Sequence, residues 1–181
     1  MNENFLRAVH FVLMHESVFA PGHDGDLAHV VTEDVPGDSG GLTKYGIDQA
    51  SHPHVDIRGL TLDAAIAIYR GGEWAKCRCE DLPEGFDVVV FDIAVNNGVG
   101  TAVRILQRAV GVDVDGFIGP KTIAAAISGG RDALKRMLIA RQSHYYDIVT
   151  WHPGDAKFLK GWLNRNNDLC AFVGIQPTSL A

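Results

Sequence analysis

Phe86-Asp87-Val88-Val89-Val90-Phe91-Asp92-Ile93-Ala94-Val95-Asn96-Asn97-Gly98 decides the fold class. Alone, Asp87-Val88-Val89-Val90-Phe91 reads as a buried strand. Over the longer stretch, Phe86, Val89, Val90, Ile93 and Asn97 keep helical spacing, which predicts a helix. Gly98 suits the position just past its end. Asp92 and Asn96 are four residues apart and share a face of this helix. They read either as a polar pair facing a cleft or as a plain polar stripe.

Outward from there, the chain reads as mostly α. Residues 3–16 form a first helix, with Phe5, Val9 and Val12 at i, i+4 and i+7, widened by Leu6 and Leu13. Residues 17–42 are a long irregular segment with Pro21 and Pro36, the kind of loop that is functional or disordered in a compact domain. It holds His23-Asp24-Gly25-Asp26 and His29. An Asp-x-Asp fragment hints at a cation, but the closing bidentate Glu of a calcium loop is missing. The segment is therefore read as a solvated polar loop. A short helix is expected over residues 43–50. Thr61 reads as an N-cap with Asp63 in the first turn of a helix that ends near Gly71-Gly72. Trp74 just beyond reads as core in preference to a sugar platform.

Past Gly98, a helix over 101–110 stops at Gly111. In Asp113-Val114-Asp115-Gly116-Phe117-Ile118-Gly119-Pro120-Lys121-Thr122, the glycines suit tight turns and Pro120 suits a first helical turn. That helix ends at Gly129-Gly130. Amphipathic helices follow over 132–151 and 155–172, and the last residues are a frayed tail.

At 181 residues, 46% hydrophobic, the chain has the size of one domain with a sizeable core. The formal charge of −6, without a basic block, argues against nucleic acid as a partner. No signal-peptide pattern and no apolar run of membrane-spanning length are present, so synthesis in the cytoplasm is expected. Cys77, Cys79 and Cys170 are an odd set and describe neither a disulfide framework nor a zinc site, so reduced thiols are expected.

Glu16 continues the apolar series of the first helix, four residues after Val12. A carboxylate there is expected to be partly desolvated and to feel the negative end of the helix dipole. Both favour its protonated form, which is what general-acid cleavage of a glycosidic bond requires. The alternative is a side chain turned into solvent.

Several stretches, in this order, resemble the glycoside hydrolase family 108 muramidases, a group of phage endolysins and secretion-associated proteins. They are Glu16 after its helix, Gly40-Gly41-Leu42-Thr43-Lys44-Tyr45-Gly46-Ile47, and Ala65-Ile66-Ala67-Ile68-Tyr69-Arg70 leading to Trp74. Then come Val90-Phe91-Asp92-Ile93-Ala94-Val95-Asn96-Asn97-Gly98, Leu106-Gln107-Arg108-Ala109-Val110-Gly111, Asp115-Gly116-Phe117-Ile118-Gly119-Pro120-Lys121-Thr122 and Lys160-Gly161-Trp162-Leu163-Asn164-Arg165.

The resemblance implies a lysozyme-like helical domain over 1–181. Residues 1–98 would be the catalytic half, 99–173 a peptidoglycan-binding-like half packed on it, and 174–181 a tail. It implies hydrolysis of the β-1,4 bond between N-acetylmuramic acid and N-acetylglucosamine in bacterial peptidoglycan, with Glu16 as acid. By analogy with other lysozymes, Asp38 and Thr43 would hold the water. Asp38 serves equally as ordinary turn chemistry. Tyr45, Asp92 and Asn96 are candidate substrate contacts. No metal or cofactor is needed, and a monomer is expected. The enzyme would reach the wall through a membrane pore. One departure stands out: the family commonly has two glycines after its Glu, whereas this chain has Ser17-Val18-Phe19. A non-catalytic peptidoglycan-binding or secretion-accessory protein and a lytic transglycosylase are the rivals, with a cysteine peptidase as a distant third.

Overall fold

The computed structural model describes residues 3–34 and 40–176. Its contacts divide into two compact units, Met1–Gly72 and Glu73–Ala181. The fold is mostly α with one small sheet. Among the described residues, no helix is long and apolar enough to cross a membrane.

In the first unit, α1 (Glu3–Glu16) buries Phe5, Ala8, Val9, Phe11, Val12 and Leu13. The loop after it is stapled at its base. Phe19 and Val30 form an antiparallel bridge, Ala20 N donates to His29 O, and Val31 N donates to Val18 O. Strands β1 (Glu33–Asp34), β2 (Leu42–Lys44) and β3 (Ile47–Asp48) make an antiparallel sheet in that order. Thr43 pairs with Glu33 on one side and Asp48 on the other.

The expected helix over 43–50 is thus a hairpin instead. Its two-residue turn is Tyr45-Gly46, with φ of 56° and 74°. Two positive φ values match the twist of the flanking strands. A left-handed Tyr is costly on its own, but here both ends of the residue are held. Its hydroxyl donates to Leu27 O at 3.0 Å, and its carbonyl accepts from the Tyr69 hydroxyl at 2.9 Å. Tyr69 closes α2 (Leu62–Tyr69), which Thr61 caps by accepting from Ala64 N as expected. A π-helical turn, Arg70–Trp74, follows, and Gly72 departs from helical geometry there.

In the second unit, α3 (Phe86–Asn97) has every residue from Phe86 to Ala94 buried. A helix buried all round is central, and α4 (Val99–Val110) and α5 (Pro120–Trp151) pack on it. Gly98 at φ 84° ends α3, and Gly111 at φ 76° ends α4, where the sequence placed them. Within α5, Gly130 leaves helical geometry at φ 48° and breaks the helix at the predicted glycine pair. Helix α6 (Ala156–Phe172) packs against α5. Trp74 is buried edge-on to Phe91 at 5.5 Å, as core.

Three of these helices meet on one ion cluster. Asp92 of α3 is fully buried, with Arg141 of α5 at 2.6 Å and Arg165 of α6 at 2.7 Å. Arg165 also donates through Nε at 3.0 Å, making a two-pronged pair. Arg141 Nε donates to the Tyr145 hydroxyl at 2.6 Å, and Tyr145 donates onward to Asn96 Oδ1 at 2.8 Å.

Burial pushes the Asp92 carboxyl upward, but the two guanidiniums and their hydrogen bonds outweigh it and hold the group below the ordinary carboxylate value. A depressed folded pKa contributes stability above the unfolded-chain value and loses it as pH falls through the folded value. Asp92→Ala, which removes the carboxylate that two buried arginines share, should cost about 3–5 kcal/mol in urea unfolding at neutral pH. That cost should shrink in acid, where the wild type loses the same charge. A loss under about 1 kcal/mol at neutral pH would contradict the cluster's role.

Candidate active site

Glu16 is the last residue of α1 and is partly buried. Its stem is backed by the hairpin turn. A Cβ added to Gly46 would lie 2.6 Å from Glu16 Cβ and 2.7 Å from the Tyr69 hydroxyl. Position 46 therefore admits only glycine, both for its positive φ and for lack of space. The end of α1 and the end of α2 both come close to the β2–β3 turn at Gly46.

Thr43 sits on the central strand, and its hydroxyl donates to Gly41 O at 3.4 Å, a long bond. Residues directly opposite on paired strands share a face of the sheet. Glu33, Thr43 and Asp48 therefore form a row across it. Burial raises the Asp48 carboxyl, but hydrogen bonds led by Ser51 N at 2.7 Å hold it below the ordinary value. Sequence reasoning passed over Glu33. Only its pairing with Thr43 marks it, and strands of two and three residues leave no alternation to read. Asp38 lies outside the described residues.

Tyr45 does not present its ring to a ligand. It is 5% exposed, and its hydroxyl is spent on Leu27 O. Asp92 and Asn96 belong to the second unit. The Asp92 carboxylate is turned inward between two arginines and does not face a cleft. Asn96, half-buried, accepts from Tyr145, so the face it shares with Asp92 carries a polar network. Gly46 and Tyr69 were also missed by sequence reasoning. A Tyr-Gly dipeptide is a weak turn signal, because only the glycine favours positive φ.

The cysteines offer no nucleophile. All three are buried and free. Burial and then the neighbouring Cys77 push the Cys79 thiol well up, and burial raises Cys170. A reactive thiol needs the opposite shift.

In the second unit, the turn between α4 and α5 is built on one buried amide. Gln107 Nε2 donates to Asp115 Oδ1 at 2.6 Å and to Phe117 O at 3.0 Å, and its Oε1 accepts from Gly116 N at 2.9 Å. Arg78 adds a bond to Ile118 O. This fixed turn leaves the Phe117 ring 77% exposed. Elsewhere, His23, Asp26 and His29 bring ligand-capable atoms together on the loop after α1.

Residues 25–98 match the family described as Glycosyl hydrolase 108, and residues 101–167 match the family described as Predicted Peptidoglycan domain. Glu16 lies ahead of the first match. The solved structure of SagA from Brucella abortus is similar over the whole of both chains, at 29% identity and a TM-score of 0.73. No curated protein matches the chain at a significant level.

Two glycines separate the cost of a left-handed backbone from the cost of crowding Glu16. Gly41 has φ 69° with nothing near its missing Cβ, whereas Gly46 has φ 74° and two close neighbours. In denaturant unfolding, Gly41→Ala should cost about 1–2 kcal/mol. Gly46→Ala should cost about 1–3 kcal/mol more. Equal costs would mean that Gly46 does not brace the acid.

Proposed function

We propose that the chain, whose residues 25–98 match the Glycosyl hydrolase 108 family and whose residues 101–167 match a Predicted Peptidoglycan domain, is an endolysin-type N-acetylmuramidase. It would hydrolyse the β-1,4 bond between N-acetylmuramic acid and N-acetylglucosamine. The observation that supports the reading is Glu16 at the end of α1, with the Gly46 turn close against its Cβ.

In this mechanism Glu16 protonates the glycosidic oxygen as the bond breaks toward an oxocarbenium-like state. Such an acid contributes about 10²–10⁴-fold. The electron pair of the broken bond stays with the leaving sugar's oxygen, and water completes the other product. Asp38 is the first candidate to hold that water, with Thr43 as the second member of the proposed pair. Glu33 is the second, because it pairs directly with Thr43. Release from a host cytoplasm through a membrane pore, in the manner of phage lysis, belongs to the same proposal.

A non-catalytic peptidoglycan binder is the second reading. It rests on Ser17-Val18-Phe19 standing where the family commonly has two glycines. For either reading, Phe117 is the proposed wall contact of the second unit, since an exposed aromatic on a fixed turn can lie against a sugar face.

Purified peptidoglycan digested by the wild type should release fragments with reducing N-acetylmuramic acid ends, read by mass spectrometry. Glu16→Gln, folded by circular dichroism, should release none. Anhydro ends would reassign the chain to the lytic transglycosylases, and no products from the wild type would leave the binder. Between Asp38→Asn and Glu33→Gln, the variant with the larger fall in kcat identifies the second group. Phe117→Ala should weaken co-sedimentation with insoluble peptidoglycan severalfold and leave the melting temperature unchanged. Undiminished sedimentation would remove Phe117 from the wall contact.

A further inference from the structure

The loop after α1 advances in steps of three. His23 N donates to Ala20 O at 3.0 Å, Asp26 N to His23 O at 3.0 Å, and His29 N to Asp26 O at 2.8 Å. These are successive i→i+3 bonds, two tight turns followed by the 3-10 turn Leu27–His29. Gly22 and Gly25, both at φ 82°, allow the chain to repeat the turn. His23, Asp26 and His29 consequently emerge on one side. The two imidazoles stack with centroids 3.8 Å apart and 18° between their planes. His29 Nδ1 lies 2.7 Å from Asp26 Oδ2. One ligand-capable atom from each residue lies within 4.8 Å of the other two.

We propose that His23, Asp26 and His29 form a binding site for a divalent transition-metal ion of the zinc class. Two imidazoles and one carboxylate are a donor set that zinc accepts, with the fourth position left to water. Imidazole favours zinc, nickel or copper over calcium and magnesium, which take oxygen donors. Metal–ligand bonds of about 2.0–2.2 Å bring ligand atoms roughly 3.5 Å apart in a tetrahedron. All three side chains are exposed, so small rotations supply that closure. Asp26 is already oriented, because its Oδ1 accepts from Ala28 N at 3.0 Å. Such an outer bond positions a metal-binding carboxylate.

The ion would close the crown of a loop whose base is stapled by the Phe19–Val30 bridge. Its 3-10 turn, Leu27–His29, is where the Tyr45 hydroxyl docks. Tyr45 precedes Gly46, which backs Glu16. The ion is therefore a structural clamp on the wall of the hairpin that holds the acid, and its binding is separable from catalysis.

The test is calorimetric titration of the metal-stripped full chain with zinc chloride, paired with cobalt(II) chloride followed by visible absorption. The wild type should bind one ion. His23→Ala and His29→Ala should each weaken binding at least about tenfold, while His54→Ala, an exposed histidine elsewhere, should leave it unchanged. Circular dichroism should show all three variants folded. Cobalt should give a nitrogen and oxygen ligand-field spectrum without thiolate charge transfer. No saturable binding by the wild type, binding that survives both histidine substitutions, or a thiolate band would each overturn the proposal. None of these readouts depends on peptidoglycan cleavage.

Discussion

Asp92 carries one negative charge into the second unit, where Arg141 and Arg165 bring two positive ones. In a low-dielectric interior buried charges are costly unless hydrogen bonds satisfy their remaining donors and acceptors. Neutral groups meet part of the demand. Arg141 Nε donates to the Tyr145 hydroxyl, and that hydroxyl donates a hydrogen bond to the amide oxygen of Asn96. Asp92 and Asn96 lie on α3, Arg141 and Tyr145 on α5, and Arg165 on α6. Hydrophobic burial brings those helices together without fixing their register, because apolar contact is non-directional. A carboxylate held by a two-pronged guanidinium does fix it. The Tyr145 ring then stacks on Trp162 of α6 at 5.4 Å, which extends the same seam.

The first unit places its directional bonds differently. Tyr45 takes a left-handed backbone that side chains avoid. It is kept there by one bond at each end, to Leu27 O and from Tyr69. Strain that is over-determined by its surroundings clusters where geometry serves function. The strained residue here is immediately followed by the glycine that touches Glu16. The local cost of the turn and the placement of the acid are one arrangement.

The helices were legible in the sequence because burial on one face leaves a 3.6-residue signature. Thr61, Gly98 and Gly111 are legible for a similarly local reason, since each cap depends on its own conformation. The hairpin over Leu42–Asp48 was not legible. Its turn is set by bonds from residues 18 and 24 positions away, and its strands are too short for alternation to appear. Asp92 was seen as polar on a helix face, and nothing local distinguishes a carboxylate aimed at a ligand from one aimed at arginines about 50 and 70 residues later. For the candidate site, the position of Glu16 at the helix end followed from periodicity, while its brace did not. The cluster of His23, Asp26 and His29 escaped because the segment was tested against a calcium-loop pattern, and the three-residue period that gathers it is a property of backbone hydrogen bonds.

The missing glycine pair after Glu16 takes on a different meaning in this light. Glycines beside an acid serve two ends, a chain reversal and close approach. Here Ser17-Val18-Phe19 leaves α1 in an extended path, since Phe19 must reach Val30 to close the bridge and Val18 O must accept from Val31 N. A flexible pair at 17 and 18 would weaken that path. The chain turns at Gly22 and Gly25, and the close approach to Glu16 is made by Gly46. The path through Ser17-Val18 and the turns at Gly22 and Gly25 are therefore coupled, because residues that extend the chain after Glu16 need turns further on to bring it back. Restoring glycine at 17 and 18 alone removes the extended path without removing the loop that depends on it. On this argument the departure redistributes the glycines around the acid, and by itself it does not mark the loss of a site.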